Sequence, residues 1–168
     1  MIGRGVGSAF AVVAIDQLSK HFLLEHFGAS GCADLKEPIT GFFDLVLTCN
    51  RGMSFGMFNS GAGLSVPLFT LAAAAIVAVL VFWLSRVRSE LLSNAIGLII
   101  GGALGNVIDR LRFGGVIDFL YFHLGAWYWP AFNLADSAIC VGVIVMLFEG
   151  LLARRFGFEA KEEGDRLP

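Results

Sequence analysis

Hydrophobic residues gather into four long runs that are separated by shorter polar or mixed segments. An α-helix needs about 20 predominantly apolar residues to cross the hydrocarbon core of a bilayer, and each run approaches or meets that length. A soluble protein of 168 residues could not bury four such helices. The pattern predicts an all-α polytopic membrane protein, a single integral membrane domain over residues 1–168, with four transmembrane helices at about 6–24, 64–84, 94–111 and 134–153.

The segment between the first two runs, residues 26–62, is longer than a simple connection requires. It contains PITGFFDLVLTCNRGMSFGMF, which mixes β-branched and aromatic residues with Gly, Asp and Asn, as strands and turns do. We therefore expect a small β-rich element on the outer face of the membrane that the helices span. The aromatic segment FLYFHLGAWYWPAF should lie along that surface too, because Tyr and Trp favour the membrane–water interface. The polar tail, about 157–168, is expected to be disordered.

Charge and composition agree with a membrane protein. The chain is 57% hydrophobic, and its formal net charge of −2 gives no case for a nucleic-acid partner. If both termini are cytoplasmic, basic residues on the inner side outnumber those outside, which favours N-in, C-in topology. The inner set would be Arg4, Arg86, Arg88, Arg154, Arg155, Lys161 and Arg166.

Glycines recur at four-residue spacing in the third run, at Gly97, Gly101 and Gly105. Small residues repeated in this way let neighbouring helices approach closely in lipid. The same register continues to Asp109, so the closely packed face should lead to a charged cluster.

Several polar residues lie at membrane depth near one end of the predicted helices. Ionisable residues in spans are costly and by default indicate function, although a salt bridge between helices is an equally simple explanation. Asp16 and Lys20 fit the salt bridge because their i,i+4 spacing places them on one helix face. Asp109 fits it too, since Arg110 is its neighbour.

Asp118 and Asp136 do not fit that explanation, because neither has a basic residue at helical spacing on its own segment. Two carboxylates that approach closely tend to share one proton. One can then act as a general base towards water while the other donates a proton. The pair therefore predicts an aspartic hydrolase, which needs no metal or other cofactor.

Other chemistries lack their signatures. The sequence has no H-E-x-x-H zinc motif and no G-x-S-x-G nucleophile motif. Acids gathered near one membrane face give no continuous polar path for a transporter. A non-catalytic membrane protein that binds lipids or lipoproteins remains the alternative, although it would not need both Asp118 and Asp136.

The chain resembles the bacterial lipoprotein signal peptidases, the signal peptidase II family. The matching stretches are DQLSK at 16–20, NRGMSFGMF at 50–58, GGALGNVIDRLRFGGVIDF at 101–119 and FNLADS at 132–137. They occur in the family's order, and the resemblance implies that Asp118 and Asp136 are the catalytic pair. We expect the nearby polar residues and one turn glycine to support the site or bind substrate: Asp16, Lys20, Asn50, Gly52, Asn106, Asp109, Arg110 and Asn133.

The resemblance also implies a substrate, an inhibitor and a location. The substrate would be a prolipoprotein whose cysteine already carries diacylglycerol, cleaved on the amino side of that cysteine. The cyclic peptide globomycin would bind in the same site. The enzyme would lie among the lipids of the bacterial inner membrane, with its active site near the periplasmic face.

Three cysteines do not form a disulfide framework. Cys32 and Cys49 both fall in the predicted outer loop and could pair in an oxidising compartment. Cys140, within the fourth run, is expected to be a small buried hydrophobic residue.

Overall fold

The computed structural model describes residues 1–52 and 65–164, and it contains four helices and one small antiparallel sheet. The predicted apolar runs are all helical, and most helices extend beyond the predicted bounds. They are α1 (Ile2–His26), α2 (Ser65–Leu84), α3 (Glu90–Phe113) and α4 (Leu134–Gly164).

The sheet has four strands in the order β1, β2, β3, β4. The first connection between helices supplies β1 (Leu35–Pro38) and β2 (Phe43–Asn50), as predicted for that loop. The prediction was incomplete, however, because β3 (Val116–Leu124) and β4 (Trp127–Tyr128) come from the aromatic segment between α3 and α4. Aromatic and β-branched side chains fit a half-buried pleated surface, so this segment pairs with β2. Residues 53–62 of the predicted loop lie outside the described residues.

Helix α3 is central, since it packs against α1, α2 and α4. The predicted close approach of its glycines is confirmed. A Cβ on Gly97 would collide with the backbone oxygen of Gly5, and one on Gly101 would lie 2.6 Å from the Ala9 oxygen. On Gly105 it would lie 2.6 Å from a carboxylate oxygen of Asp16. The glycine face therefore brings α1 against α3 at the level of the charged residues.

The turn from α3 into β3 depends on two glycines. Gly114 adopts φ +71°, a left-handed conformation that glycine reaches without strain, and its N–H donates to Arg110 O. Gly115 follows, and β3 begins at the next residue. This abrupt reversal places Asp118 close to the end of α3.

Helix α4 continues through residues 157–164, where the sequence predicted a disordered tail. Alanine, glutamate and lysine in FEAKEE are strong helix formers, so an existing helix continues through them. Residues 165–168 lie outside the described residues.

Three of the described helices are long and apolar enough to cross a membrane: Val66–Leu84, Glu90–Phe113 and Leu134–Leu151. The surfaces of α2 and α4 are largely exposed, with apolar side chains such as Leu71, Val79, Ile144 and Leu147 pointing outward. Apolar helices with an outward apolar surface belong in lipid. The protein is thus a multi-pass membrane protein.

Candidate active site

Asp118 and Asp136 converge where β3 meets the first turn of α4. The Asp118 side chain is buried, with 2% of its surface exposed, and Asp136 is half-buried. Among the described residues, no lysine, arginine or histidine forms an ion pair with either carboxylate. The two acids therefore lie together without an ion-paired basic residue in the described part of the chain.

Asn133 connects the two acids. Its Nδ2 donates to Asp118 Oδ1 over 2.7 Å, and its Oδ1 accepts from the backbone N–H of Asp136 over 2.9 Å. Asp136 Oδ2 in turn accepts from the Asn133 N–H over 3.3 Å. This reciprocal pair is a capping box, formed here by Asn and Asp, at the start of α4. The cap that begins the helix also holds both acids beside each other.

The other donors to the acids are neutral amides. Asn106 Nδ2 donates to Asp136 Oδ1 over 2.8 Å, and Asn50 Nδ2 donates to Asp118 Oδ2 over 3.2 Å. Amides orient the carboxylates without adding positive charge. Each acid therefore keeps its ability to exchange a proton.

A β-bulge in β2 sets the register beside Asp118. Leu45 lies opposite Leu120, but Thr48 lies opposite Asp118, so β2 has one extra residue between these pairs. A bulge leaves one residue unpaired and re-aims the side chains that follow it.

The bulge brings Asn50 to the correct face of the sheet. Asn50 lies opposite Val116, and Asp118 is two residues further along β3, so Asn50 and Asp118 share a face. Without the extra residue, Asn50 would point to the opposite face. The backbone N–H of Gly52 donates to Asn50 Oδ1 over 3.1 Å, which turns the amide nitrogen towards Asp118.

Lys20 lies at the centre of a buried ionic cluster. Its Nζ is 2.8 Å from Asp16 Oδ2 and 2.7 Å from Asp109 Oδ2. The predicted Asp16–Lys20 pair is confirmed, but pairing Asp109 with Arg110 was wrong. The close approach of α1 and α3 brings Lys20 to Asp109, while Arg110 Nη1 donates to the backbone oxygen of Asn106.

The cluster holds the backbone next to each catalytic candidate. Asp16 Oδ1 accepts from the N–H of Ala135, which precedes Asp136, over 3.1 Å. Asp109 Oδ2 accepts from the N–H of Ile117, which precedes Asp118, over 3.1 Å. The ionic cluster thereby fixes the two segments that carry the acids.

Gln17 also belongs to this cluster, although the sequence reasoning did not select it. Its Nε2 donates to Asp109 Oδ1 over 2.9 Å and to Asp16 Oδ2 over 3.2 Å, and its Oε1 accepts from Arg112. Its position in DQLSK, between the predicted site residues Asp16 and Lys20, could have indicated that it belongs to the site.

Arg110 faces the same region from the end of α3. Its guanidinium interacts electrostatically with Asp136, Asp118 and Asp109. Its Nε is buried and has no hydrogen-bond partner among the described residues.

Burial, and then the nearby Asp136 carboxylate, raise the pKa of Asp118 to about 7. Hydrogen bonds from Asn50 and Asn133 lower the pKa but do not offset those two effects. A carboxyl group with a pKa near neutrality can both hold and release a proton under working conditions.

All ten residues predicted for the site lie in this one region.

Comparisons with known proteins agree with this geometry. The family model described as signal peptidase (SPase) II matches residues 8–152. The chain is 46% identical to the lipoprotein signal peptidase of Burkholderia cenocepacia (strain HI2424) over 147 residues, which cover 87% of this chain and 86% of that protein. It is 44% identical to the lipoprotein signal peptidase of Burkholderia multivorans, with the same coverage.

Solved structures with the same fold are membrane enzymes. One bacterial membrane enzyme, determined by the in meso method at 2.3 Å resolution, superposes with a TM-score of 0.75 at 28% identity, covering 92% of this chain and 91% of that one. A second, at 1.9 Å resolution, gives a TM-score of 0.74 at 27% identity, covering 90% and 94%. With a family model that matches most of its length, close relatives and a shared fold, this chain belongs to the signal peptidase II family.

Proposed function

We propose that this protein is an aspartic endopeptidase that removes the signal peptide from diacylglyceryl-modified prolipoproteins, cutting on the amino side of the lipidated cysteine. The observation that carries the proposal is the pair Asp118 and Asp136, which Asn133 holds together and which forms no ion pair with a basic residue in the described chain. Membership of the signal peptidase II family and the lipoprotein signal peptidase relatives support the substrate class.

We assign the shared proton at rest to Asp118, because it is the more deeply buried of the two acids and burial favours the neutral form of a carboxyl group. The same burial raises the pKa of Asp118 to about 7. Asp136, as the carboxylate, accepts a proton from water while the water oxygen attacks the scissile carbonyl carbon. Asp118 donates its proton to the carbonyl oxygen, which gives a tetrahedral intermediate. The C–N bond then breaks as Asp136 gives its proton to the leaving nitrogen and one hydroxyl of the intermediate returns its proton to Asp118. This yields the new carboxyl group and the free amine, and it restores the starting protonation state of the pair.

Arg110 is the residue best placed to bind substrate. The residue is half-buried, so the accessible part of its guanidinium can donate to a backbone carbonyl of the peptide. Asn133 is fully engaged with Asn106 Oδ1, Ile117 O and Asp118 Oδ1, so its role is to position the acids.

We place all four helices across the bacterial inner membrane, N-in and C-in, with the sheet and acids near the periplasmic face. Helix α1 is included because its polar cluster is buried, while Phe10, Ile15, Leu18 and Phe22 point outward. The disulfide between Cys32 and Cys49 supports this orientation, since disulfides persist in oxidising compartments. Membrane lipids would then surround the substrate's acyl chains, and globomycin would occupy the peptide site.

Amide replacement of each acid tests the proposal. Asp118→Asn and Asp136→Asn keep the size of the side chain but can neither take nor give the proton, so each should lower turnover at least about 10²–10⁴-fold. The assay is a gel shift of a diacylglyceryl-modified prolipoprotein with enzyme purified in detergent. The matched control is Asp34→Asn, which changes an exposed aspartate that accepts from Thr48 and should cleave normally.

Near-wild-type turnover by either variant would overturn the aspartic mechanism. If both variants and the wild type bind the substrate but none cleaves it, the protein is instead a non-catalytic binder of lipids or lipoproteins.

A further inference from the structure

We propose that the Cys32–Cys49 disulfide is a positioning element for catalysis, because it holds Asn50 against Asp118. This inference rests on the proposed function, since it assigns the disulfide a role in the same reaction. Cleavage would then depend on the oxidised state of this cysteine pair.

The disulfide lies directly beside the residue it would position. Cys49 immediately precedes Asn50 at the end of β2, and Cys32 lies in the connection between α1 and β1. Their Cα atoms are 5.2 Å apart. Cys32 Sγ also lies 3.5 Å from the backbone oxygen of Phe113, the last residue of α3. The disulfide therefore holds the end of β2 close to the end of α3.

The disulfide also packs against the turn that leads to Asp118. A Cβ on Gly115 would lie 2.5 Å from Cys49 Sγ and 3.3 Å from Asn50 O, so no side chain fits between the disulfide and the start of β3. In the strand register, Cys49 lies opposite Ile117 and Asn50 lies opposite Val116.

The end of a strand needs such a restraint. Asn50 is the last residue of β2, and strand ends open at far smaller free energies than strand centres. A disulfide restricts the conformations that a freed segment can sample. Without it, the Asn50 amide would spend less time within hydrogen-bonding distance of Asp118, now 3.2 Å.

The disulfide is accessible to a small reductant. Both cysteines are half-buried and line an open cavity of about 280 Å³, together with Thr48 and Arg51. A dithiol can pass two electrons and two protons to the sulfur pair, which yields two cysteine thiols and the cyclic disulfide of the reagent. Cys140, by contrast, is a free and exposed thiol on α4, not the buried residue that the sequence predicted.

The test compares oxidised and reduced enzyme in detergent with the diacylglyceryl-modified prolipoprotein. Thiol labelling before reduction should modify Cys140 alone. Reduction should lower kcat by up to about tenfold, the scale of one lost hydrogen bond, with a smaller change in KM. Cys32→Ser and Cys49→Ser should match the reduced wild type, while Cys140→Ser should behave as wild type in both states.

The pH profile gives a readout that general loosening of the structure would not produce. The Asn50 hydrogen bond lowers the pKa of Asp118, so its loss raises that pKa. The basic limb of the activity profile, where Asp118 loses its proton, should therefore move to higher pH on reduction. Asn50→Ala should show the same shift, and reduction of that variant should change nothing further, since the two perturbations act through one contact.

Three results would overturn the inference: labelling of Cys32 and Cys49 before reduction, an unchanged kcat and pH profile after reduction, or an undiminished effect of reduction in Asn50→Ala. Failure of the proposed function is distinguishable. In that case the oxidised wild type would not cleave the prolipoprotein, or Asp118→Asn would cleave it at the wild-type rate.

Discussion

Replacing Lys20 by Met tests whether the buried ionic cluster maintains the fold and the site together. Met keeps much of the length of the side chain but removes the ammonium group that Asp16 and Asp109 share. All three side chains are at most 2% exposed, so water cannot take over that role. The cluster, one cation and two anions, would change from a net charge of −1 to −2.

The expected magnitude follows from these contacts. Breaking a buried ion pair by removing one partner costs about 3–5 kcal/mol. The two acids keep donors from Gln17 and from the N–H groups of Ala135 and Ile117, so the loss should be about 3 kcal/mol, the lower end of this range. That is a large share of the roughly 5–15 kcal/mol that stabilises a typical folded protein.

Equilibrium unfolding in mixed micelles of a nonionic detergent and dodecyl sulfate measures this loss. The control is Arg4→Met on the same helix, which removes an exposed ion pair with Glu90 and should cost about 0–1 kcal/mol. Adding Asp109→Asn to Lys20→Met returns the cluster to −1 and should recover part of the stability. Equal denaturant midpoints for Lys20→Met and wild type, or equal losses for Lys20→Met and Arg4→Met, would refute the reasoning.

Three further predictions concern proton binding, helix packing and substrate lipid. The raised pKa of Asp118 means that the folded state binds a proton more tightly than the unfolded state does. The contribution of Asp118 to stability is therefore greatest below pH 3.8 and is lost as the pH rises from there through about 7. Unfolding measured across pH should show that fall in wild type and less of it in Asp118→Asn; identical profiles would contradict the assignment. Gly97→Ala should separate α1 from α3 and lower the midpoint of unfolding. The control is Gly7→Ala, whose added Cβ would meet no atom within 4 Å, and it should leave the midpoint unchanged. An unchanged midpoint for Gly97→Ala would refute the packing argument. An unmodified precursor should be cleaved far more slowly than the diacylglyceryl form, because embedded acyl chains hold the peptide beside the acids at high effective concentration, and equal rates in the gel assay would count against that idea.

The helices could be predicted from the sequence because their signal is local. Long apolar runs determine helices that belong in lipid, whatever their neighbours are. The same is true of the i,i+4 spacing of Asp16 and Lys20 and of the glycine face of α3, because helical geometry alone decides which residues share a face. The choice of Asp118 and Asp136 was equally local, since it rested on the absence of basic residues around each acid.

Contacts between distant segments required the tertiary structure. Lys20 reaches Asp109 only because Gly97, Gly101 and Gly105 let α1 approach α3, and the nearest basic residue in the sequence, Arg110, is not the partner. Sequence proximity cannot reveal which of two cations a packed interface brings closer.

The sheet shows the same limit more sharply. Strand character could be read for the loop that contains β2, but pairing with β3 depends on where the chain returns after α3. The side of the sheet on which Asn50 lies depends on a single bulged residue, because side chains alternate along a strand and a shift of one residue reverses their direction. The amino-acid sequence by itself determined the helices and supplied the acids, and only the tertiary structure decided which amide, which cation and which disulfide stand beside them.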